Sequence, residues 1–419
     1  MNENNSTSNP ASEKWAVPFF TIWSGQAISL LGSQMVQFAL IWWLTKTTES
    51  ATVLTSATLV GVLPSVILGP FVGTLVDRWN RRRILLISDA TIALVSLLLA
   101  YIFYMGWAKV WIVFIALFLR AIGSGFHRPT TSASTSLMVP AKQLTRVQGL
   151  NSSLYNGLNI LSAPLGALLL EVLSVEGVLG IDVVSALFAI TPLFFITIPQ
   201  PDNSQISQNN NLIASIWEDF KSGLHYLRSY PGLITIVIMA LFINMIIGPG
   251  FSLLPLLVRE HFGGGALQLG WFNSAFGMGA VGGGLLLGIW GGFKKKVHTA
   301  LIGLIGFSIG LGVIGFATQS MMIPAIGAVI FIGIMITFIL GPIHAILQST
   351  VDPAIQGRVF TLMSSVATAM SPLGLIMAGP LSDLISIQFW YILSSLLTLG
   401  VGVGGFFSKA LKGLEEDQE

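Results

Sequence analysis

Three ionisable residues stand inside stretches that are otherwise apolar: Asp89 in 84–105, Arg120 in 108–127 and Asp182 in 177–198. A charge placed so far from water is costly, so each marks an ion pair, a proton path or a ligand site. Asp89 lies about six residues into its run and Arg120 about eight residues from the same end of the next. At ~1.5 Å per helical residue these are depths of roughly 9 and 12 Å. The matched depths predict an Asp89–Arg120 pair. It reads either as a switch, in which the carboxyl trades a proton against the arginine, or as a permanent ion pair. Asp182, a turn or so inside the far end of its run, either reaches the outer interface or faces a central cavity. These three are the candidates for proton coupling. Glu171 and Asp383 fall near outer ends and read as solvated.

A second set is polar and uncharged. Gln26, Ser29, Ser33, Gln34 and Gln37 crowd the first apolar run, and positions 26, 29, 33 and 37 share one helical face. They either bond between helices or line a substrate cavity. Asn244, Asn273 and His344, with Gln348, are similar cavity candidates, whereas Trp271, Phe272 and Phe276 read as packing or interface anchors.

Other chemistries are missing their residues. There is no cysteine, and the five histidines are scattered, so no metal site is expected. No nucleophile–His–acid set and no Gly-x-x-x-x-Gly-Lys-Ser/Thr phosphate loop is present, which argues against an enzyme and against direct ATP coupling. No cofactor is expected, and a proton gradient is the implied energy source. A net charge of +2 gives no footprint for nucleic acid.

The elements that position these residues follow from composition. Hydrophobic residues make up 53 % and charged residues 9 %, against roughly 25 % charged in an ordinary soluble domain. About 20 apolar residues are needed to span a bilayer. Such runs occur near 18–43, 53–76, 84–105, 108–127, 147–172, 177–198, 232–257, 266–290, 299–318, 321–346, 359–386 and 388–407. An all-α integral membrane protein of about twelve transmembrane helices is expected, since a lipid-exposed backbone must satisfy its own hydrogen bonds. With the N-terminus inside, nearly all of the 20 Lys and Arg fall on the cytoplasmic side. Lys46, Lys109 and Arg259 lie outside and Arg120 within a span. The positive-inside bias therefore places both termini in the cytoplasm.

The expected order is a cytoplasmic tail (1–14), a six-helix half (15–198), a linker (199–231), a second six-helix half (232–407) and a cytoplasmic tail (408–419). In the linker, Ile216, Trp217, Phe220, Leu224 and Leu227 recur at helical spacing, which predicts an interfacial amphipathic helix. The halves echo each other. Pro140-Ala141-Lys142-Gln143 precedes Arg146 as Pro353-Ala354-Ile355-Gln356 precedes Arg358, and Ala163-Pro164-Leu165-Gly166 matches Ser371-Pro372-Leu373-Gly374. Duplicated halves predict a site between them and alternating access by rocking.

The loop after the second run reads Gly73-x-x-x-Asp77-Arg78-x-x-Arg81-Arg82-Arg83. It resembles the Gly-x-Leu-x-Asp-Arg-x-Gly-Arg-[Arg/Lys] loop of the major facilitator superfamily, with Asn80 where Gly is usual. The resemblance implies a conformational latch made by Gly73, Asp77, Arg78 and Arg82. In the second half only the basic Lys294-Lys295-Lys296 survives. Arg120 resembles the arginine that the superfamily's drug–proton antiporters carry in the fourth span. Ala163-Pro164-Leu165-Gly166-Ala167 departs from their Gly-Pro-x-x-Gly-Gly motif, which leaves the direction of coupling open. Further stretches, among them Thr21 to Leu30, Arg120 to Pro129 and Leu137 to Pro140, resemble the macrolide-efflux branch. That resemblance implies a monomer in a bacterial inner (plasma) membrane. It exchanges protons for a bulky amphipathic small molecule such as a macrolide, and membrane lipid surrounds it. The alternatives are a siderophore or lipid exporter, or a non-transporting membrane sensor.

Overall fold

A computed structural model describes residues 15–200, 221, 226–227, 230–352 and 355–416. The N-terminal tail and most of the 199–231 stretch, with its expected interfacial helix, lie outside the described residues. Twelve long helices follow the twelve apolar runs. They are α1 (Ala16–Thr48), α2 (Ala51–Arg78), α3 (Arg81–Tyr104), α4 (Val110–Met138), α5 (Ala141–Val172), α6 (Val175–Phe195), α7 (Pro231–Leu256), α8 (Ala266–Trp290), α9 (Lys296–Phe316), α10 (Met322–Thr350), α11 (Gln356–Leu384) and α12 (Ile387–Phe407). Among the described residues, eleven of these helices are long and apolar enough to cross a membrane. A short helix α13 (Lys409–Glu416) follows, in what the sequence suggested was only a tail, and packs on α7 with Leu411 buried.

Why the runs become helices is visible on their surfaces. On α3, Ile87, Leu94, Leu98 and Tyr101 form an exposed apolar face, while Ile84, Leu85, Ser88, Asp89, Ile92 and Ser96 are buried. Water would penalise that outer face and lipid does not. Helix α4 runs eleven residues beyond the apolar stretch, through Arg128 and Pro129 into a hydroxyl-rich segment. There Thr130, Thr131, Ser134 and Thr135 donate to the carbonyls of Phe126, His127, Thr130 and Thr131, at 2.7–2.9 Å. Back-bonding of this kind lets hydroxyl side chains remain in a helix without stranded donors.

The chain divides into two compact units. The first comprises 1–40, 67–162 and 169–207; the second comprises 41–66, 163–168 and 208–419. In the first, α3 packs against α4 and α6. In the second, α10 packs on α8 and α9, α9 on α12, and α7 on α11. Small residues set the close crossing of α8 and α10. A Cβ at Gly279 of α8 would meet the Ile330 carbonyl of α10, and one at Gly333 of α10 would lie 2.8 Å from the Ala280 amide nitrogen of α8. Glycine at both points lets the backbones touch, as in small-residue packing within membranes.

Candidate functional site

The buried polar residues of the first unit form two layers. In one, the Arg120 guanidinium bonds the Asp182 carboxylate at 2.6 Å. Ser96 Oγ donates to the same carboxylate oxygen at 2.7 Å and Ser33 Oγ to the other at 2.9 Å. Arg120 also donates to Ser96 Oγ, and at 3.3 Å to the Ser33 carbonyl. Asp182 has no exposed surface and Arg120 only 5 %. Helices α1, α3, α4 and α6 each contribute. Glycine at 32 allows the approach of α1, since a Cβ there would collide with Ser185 Oγ and lie 3.3 Å from Asp182 Oδ1.

In the second layer, Gln26 Nε2 donates to Asp89 Oδ2 at 2.8 Å, and Gln26 Oε1 lies 2.6 Å from His127 Nε2. His127 Nε2 is 3.4 Å from Asp89 Oδ1. All three side chains are buried. The layers share a construction. Gln26 and Ser33 on α1, Asp89 and Ser96 on α3, and Arg120 and His127 on α4 are each seven residues apart. Seven residues are two helical turns, ~10.5 Å. Helix α4 runs opposite to α3, so its arginine meets the serine and its histidine meets the aspartate. Between the layers Ile92 of α3 abuts Gly123 of α4, where a Cβ would lie 2.9 Å from Ile92 Cγ1. Two charge-bearing clusters are thus stacked in an apolar bundle with an aliphatic plug between them.

The expected Asp89–Arg120 pair does not form. The two residues lie a layer apart, and Arg120 takes Asp182 instead. Asp182 reaches neither the outer interface nor a cavity; it is enclosed between helices. Of the polar face of α1, Ser33 bonds Asp182, Ser29 is buried, and Gln37 is half-buried. Asn244 and Asn273, in the second unit, donate to the carbonyls of Ala240 and Leu269 in their own helices. His344 is exposed, with its ring 6.2 Å from that of Phe360. No described hydrogen bond joins these three.

Among the latch candidates, Gly73 and Arg78 are exposed and the side chain of Asp77 lies outside the described residues. Arg82 donates to the carbonyls of Leu193 and, at 2.7 Å, Phe194, which closes the end of α6. Arg81 donates to the Ala133 carbonyl of α4 at 2.8 Å. Asn80, the departure from glycine, caps α3 by accepting from the Arg83 amide at 3.1 Å.

The family model of the Major Facilitator Superfamily matches residues 22–375. The chain belongs to the major facilitator superfamily. Among curated relatives of this facilitator, Macrolide efflux protein A of Streptococcus pyogenes is 33 % identical over 93 % of the chain and 95 % of its own length. A protein of the same name from Enterococcus faecalis is 32 % identical over 76 % of the chain and 98 % of its own. The fold is shared with the inward-facing, unoccupied structure of a bacterial homologue of the human lysosomal transporter Spinster. That match has a TM-score of 0.72 and 12 % identity over 98 % and 99 % of the two chains. This facilitator is therefore a multi-pass membrane transporter whose relatives include efflux proteins.

Sequence reasoning missed His127 and Ser96 as members of the layers. The signal was present as the repeated seven-residue spacing on three helices, which only becomes meaningful once the helices are known to be neighbours. Asp383, in the second unit, is exposed as expected but also has backbone partners. Asp383 Oδ1 accepts from the Ala51 amide at 2.7 Å and Oδ2 from the Thr52 amide at 3.0 Å and Ser50 Oγ at 2.9 Å. It thus covers the first turn of α2, beside the Glu49–Arg259 ion pair at 2.7 Å.

Proposed function

We infer that this transporter exports a bulky amphipathic compound of the macrolide class from a bacterial cytoplasm in exchange for protons. The observation that carries the reading is the pair of buried charge layers in the first unit. A bundle needing only structural cohesion would be served by apolar residues of similar volume, because desolvating ions offsets most of what they return. Exchangeable protons give such groups a use. Asp89 is the carboxylate whose partners are a histidine and an amide rather than an arginine, and it is the residue through which a proton passes. The Arg120–Asp182 pair is the fixed counterpart that holds α4 and α6 in register. The relatives' names support the macrolide class, and the bias of lysines and arginines supports cytoplasmic termini. Alternating access moves the substrate.

Labelled erythromycin accumulation in cells making the protein, with and without a protonophore, tests this. Accumulation should fall several-fold relative to cells without the protein, and the protonophore should restore it. Asp89→Asn should restore it as well. Unchanged accumulation with the protein present in the membrane would exclude macrolide export and turn the question to siderophores or lipids.

A further inference from the structure

The second unit has one corner of unbalanced charge. Between Glu260 and Asp352 the sequence contains no acidic residue, and its only lysines or arginines are Lys294, Lys295 and Lys296. That stretch makes α8, α9 and α10, with α10 packed on both of the others, all in the second unit. Lys294 and Lys295 are exposed and Lys296 is half-buried. Among the described residues no hydrogen bond or ion pair engages their side chains. Helix α12, which also packs on α9, carries no charge, and the short α13 brings Glu415 and Glu416 together with Lys409 and Lys412. The basic run before α3 is spent differently. There Arg81 and Arg82 donate to carbonyls of α4 and α6, and Asn80 caps the helix. At α9 the capping position is Lys295 itself, whose side chain accepts nothing, and cations at a helix start are unfavourable for the helix.

The corner is held in place. The Gly291 amide closes α8 by donating to the Leu287 carbonyl at 2.8 Å. Gly291 and Gly292 both have φ of 80°, a left-handed turn that glycine enters without steric cost. The Phe293 amide then donates to Oγ1 of buried Thr299 at 2.9 Å, which ties the turn to α9. Trp290 meets Phe293 edge-on, with ring centroids 4.7 Å apart, and lies 5.8 Å from the Phe338 ring of α10. Both Trp290 and Phe293 remain exposed. Back along α8, Leu285 and Ile289 are exposed one turn apart on one face, Ile289 at 88 %. An apolar strip, an aromatic ledge and three cations thus follow one another in that order. Retention of positive charge accounts for basic residues in a loop between spans, but not for their being fixed beside an exposed aromatic pair.

We propose that this corner binds an anionic phospholipid, with its phosphate on Lys294, Lys295 and Lys296 and an acyl chain on Leu285 and Ile289. Clusters of lysines next to a spanning helix attract anionic headgroups, and aromatic rings sit at the headgroup level. Three cations with no acid on their own helices suit a two-phosphate lipid such as cardiolipin better than a zwitterionic one. A free phosphate would use the lysines and leave the strip uncovered. The proposal does not depend on what the protein transports.

The test is native mass spectrometry of the purified, delipidated full-length protein in detergent, titrated with cardiolipin or with phosphatidylethanolamine. Wild type should bind cardiolipin at least about tenfold more tightly, since each lysine near a membrane surface counts for about fivefold. The triple variant Lys294→Gln, Lys295→Gln, Lys296→Gln should lose at least about tenfold in cardiolipin affinity. The double variant of the two exposed residues, Lys294→Gln with Lys295→Gln, takes its place should the triple variant not fold. Lys142→Gln with Arg146→Gln, a basic pair of the first unit, should keep wild-type affinity. Equal losses in the two sets would mean a diffuse attraction to net charge and overturn the proposal. Cardiolipin carrying a photoactivatable acyl chain should crosslink to the peptide holding Leu285 and Ile289; crosslinks confined to other helices would overturn it too. Displacement of cardiolipin by excess inorganic phosphate, beyond that by chloride at equal ionic strength, would mark a phosphate site and remove the lipid.

Discussion

At the scale of single residues, the two layers differ in how permanent their charges are. Asp182 has three donors, one of them a guanidinium that never loses its proton. Removing its charge leaves Arg120 buried and unbalanced, a change that costs about 3–5 kcal/mol. Asp182→Asn should therefore lower stability by about that amount, measured as thermal unfolding in detergent, and Asp182→Leu combined with Arg120→Met should recover much of the loss. Asp89→Asn keeps an acceptor for Gln26 and strands no permanent cation, so it should stay within about 1.5 kcal/mol of wild type. Equal losses for the two single variants would contradict the assignment of a fixed pair and an exchangeable one. The sequence made Asp89, Arg120 and Asp182 legible because a charge in an apolar run stands out. It did not reveal their pairing. A depth count from uncertain span ends carries an error of a turn or more, and one turn decides whether Arg120 faces Asp89 or Ser96. The face of each helix, which brings Asp182 inward, is a product of packing and is absent from any single run.

At the scale of elements, the helices were legible and their ends were not. The apolar runs located α1 to α12 within a few residues, but α4 continues to Met138 through residues too polar for a hydropathy argument. Hydroxyl back-bonds and the Arg81 bond to Ala133 keep that extension helical. Similarly, Asp383 was read as a solvated end residue. It is exposed, yet it takes up the amide hydrogens of Ala51 and Thr52, two of the donors that a helix start leaves unpaired. Ser50 completes the turn by accepting from the Val53 amide at 3.3 Å. Asp383→Ala should cost about 0.5–2 kcal/mol, as loss of a helix cap does. The loss should be local: hydrogen exchange should speed at Ala51 and Thr52, with little change in α9 and α10. Asp383→Asn, which keeps the acceptor, should restore part of the protection. Unchanged exchange at the start of α2 in Asp383→Ala would mean that Ser50 alone caps this helix.

At the scale of the whole molecule, charge placement carries an argument that contacts do not. The basic residues Arg81, Arg82 and Arg83 precede α3, and Lys294, Lys295 and Lys296 precede α9, whereas Lys109 precedes α4 at the opposite end of a span. Positive charge is retained on the cytoplasmic side during insertion, so Lys109 should face outward and Lys294 inward. The chain offers a clean means of checking this because it has no cysteine. Each engineered thiol is then the only one present. In intact cells a membrane-impermeant maleimide should label Lys109→Cys and leave Lys294→Cys and Lys142→Cys unlabelled. In inverted vesicles the pattern should reverse. Labelling of Lys294→Cys from outside would invert the topology. It would also remove the support that the charge bias gives to cytoplasmic termini. The orientation of the helices is in this way tied to an arrangement of lysines and arginines that can be tested without any knowledge of the substrate.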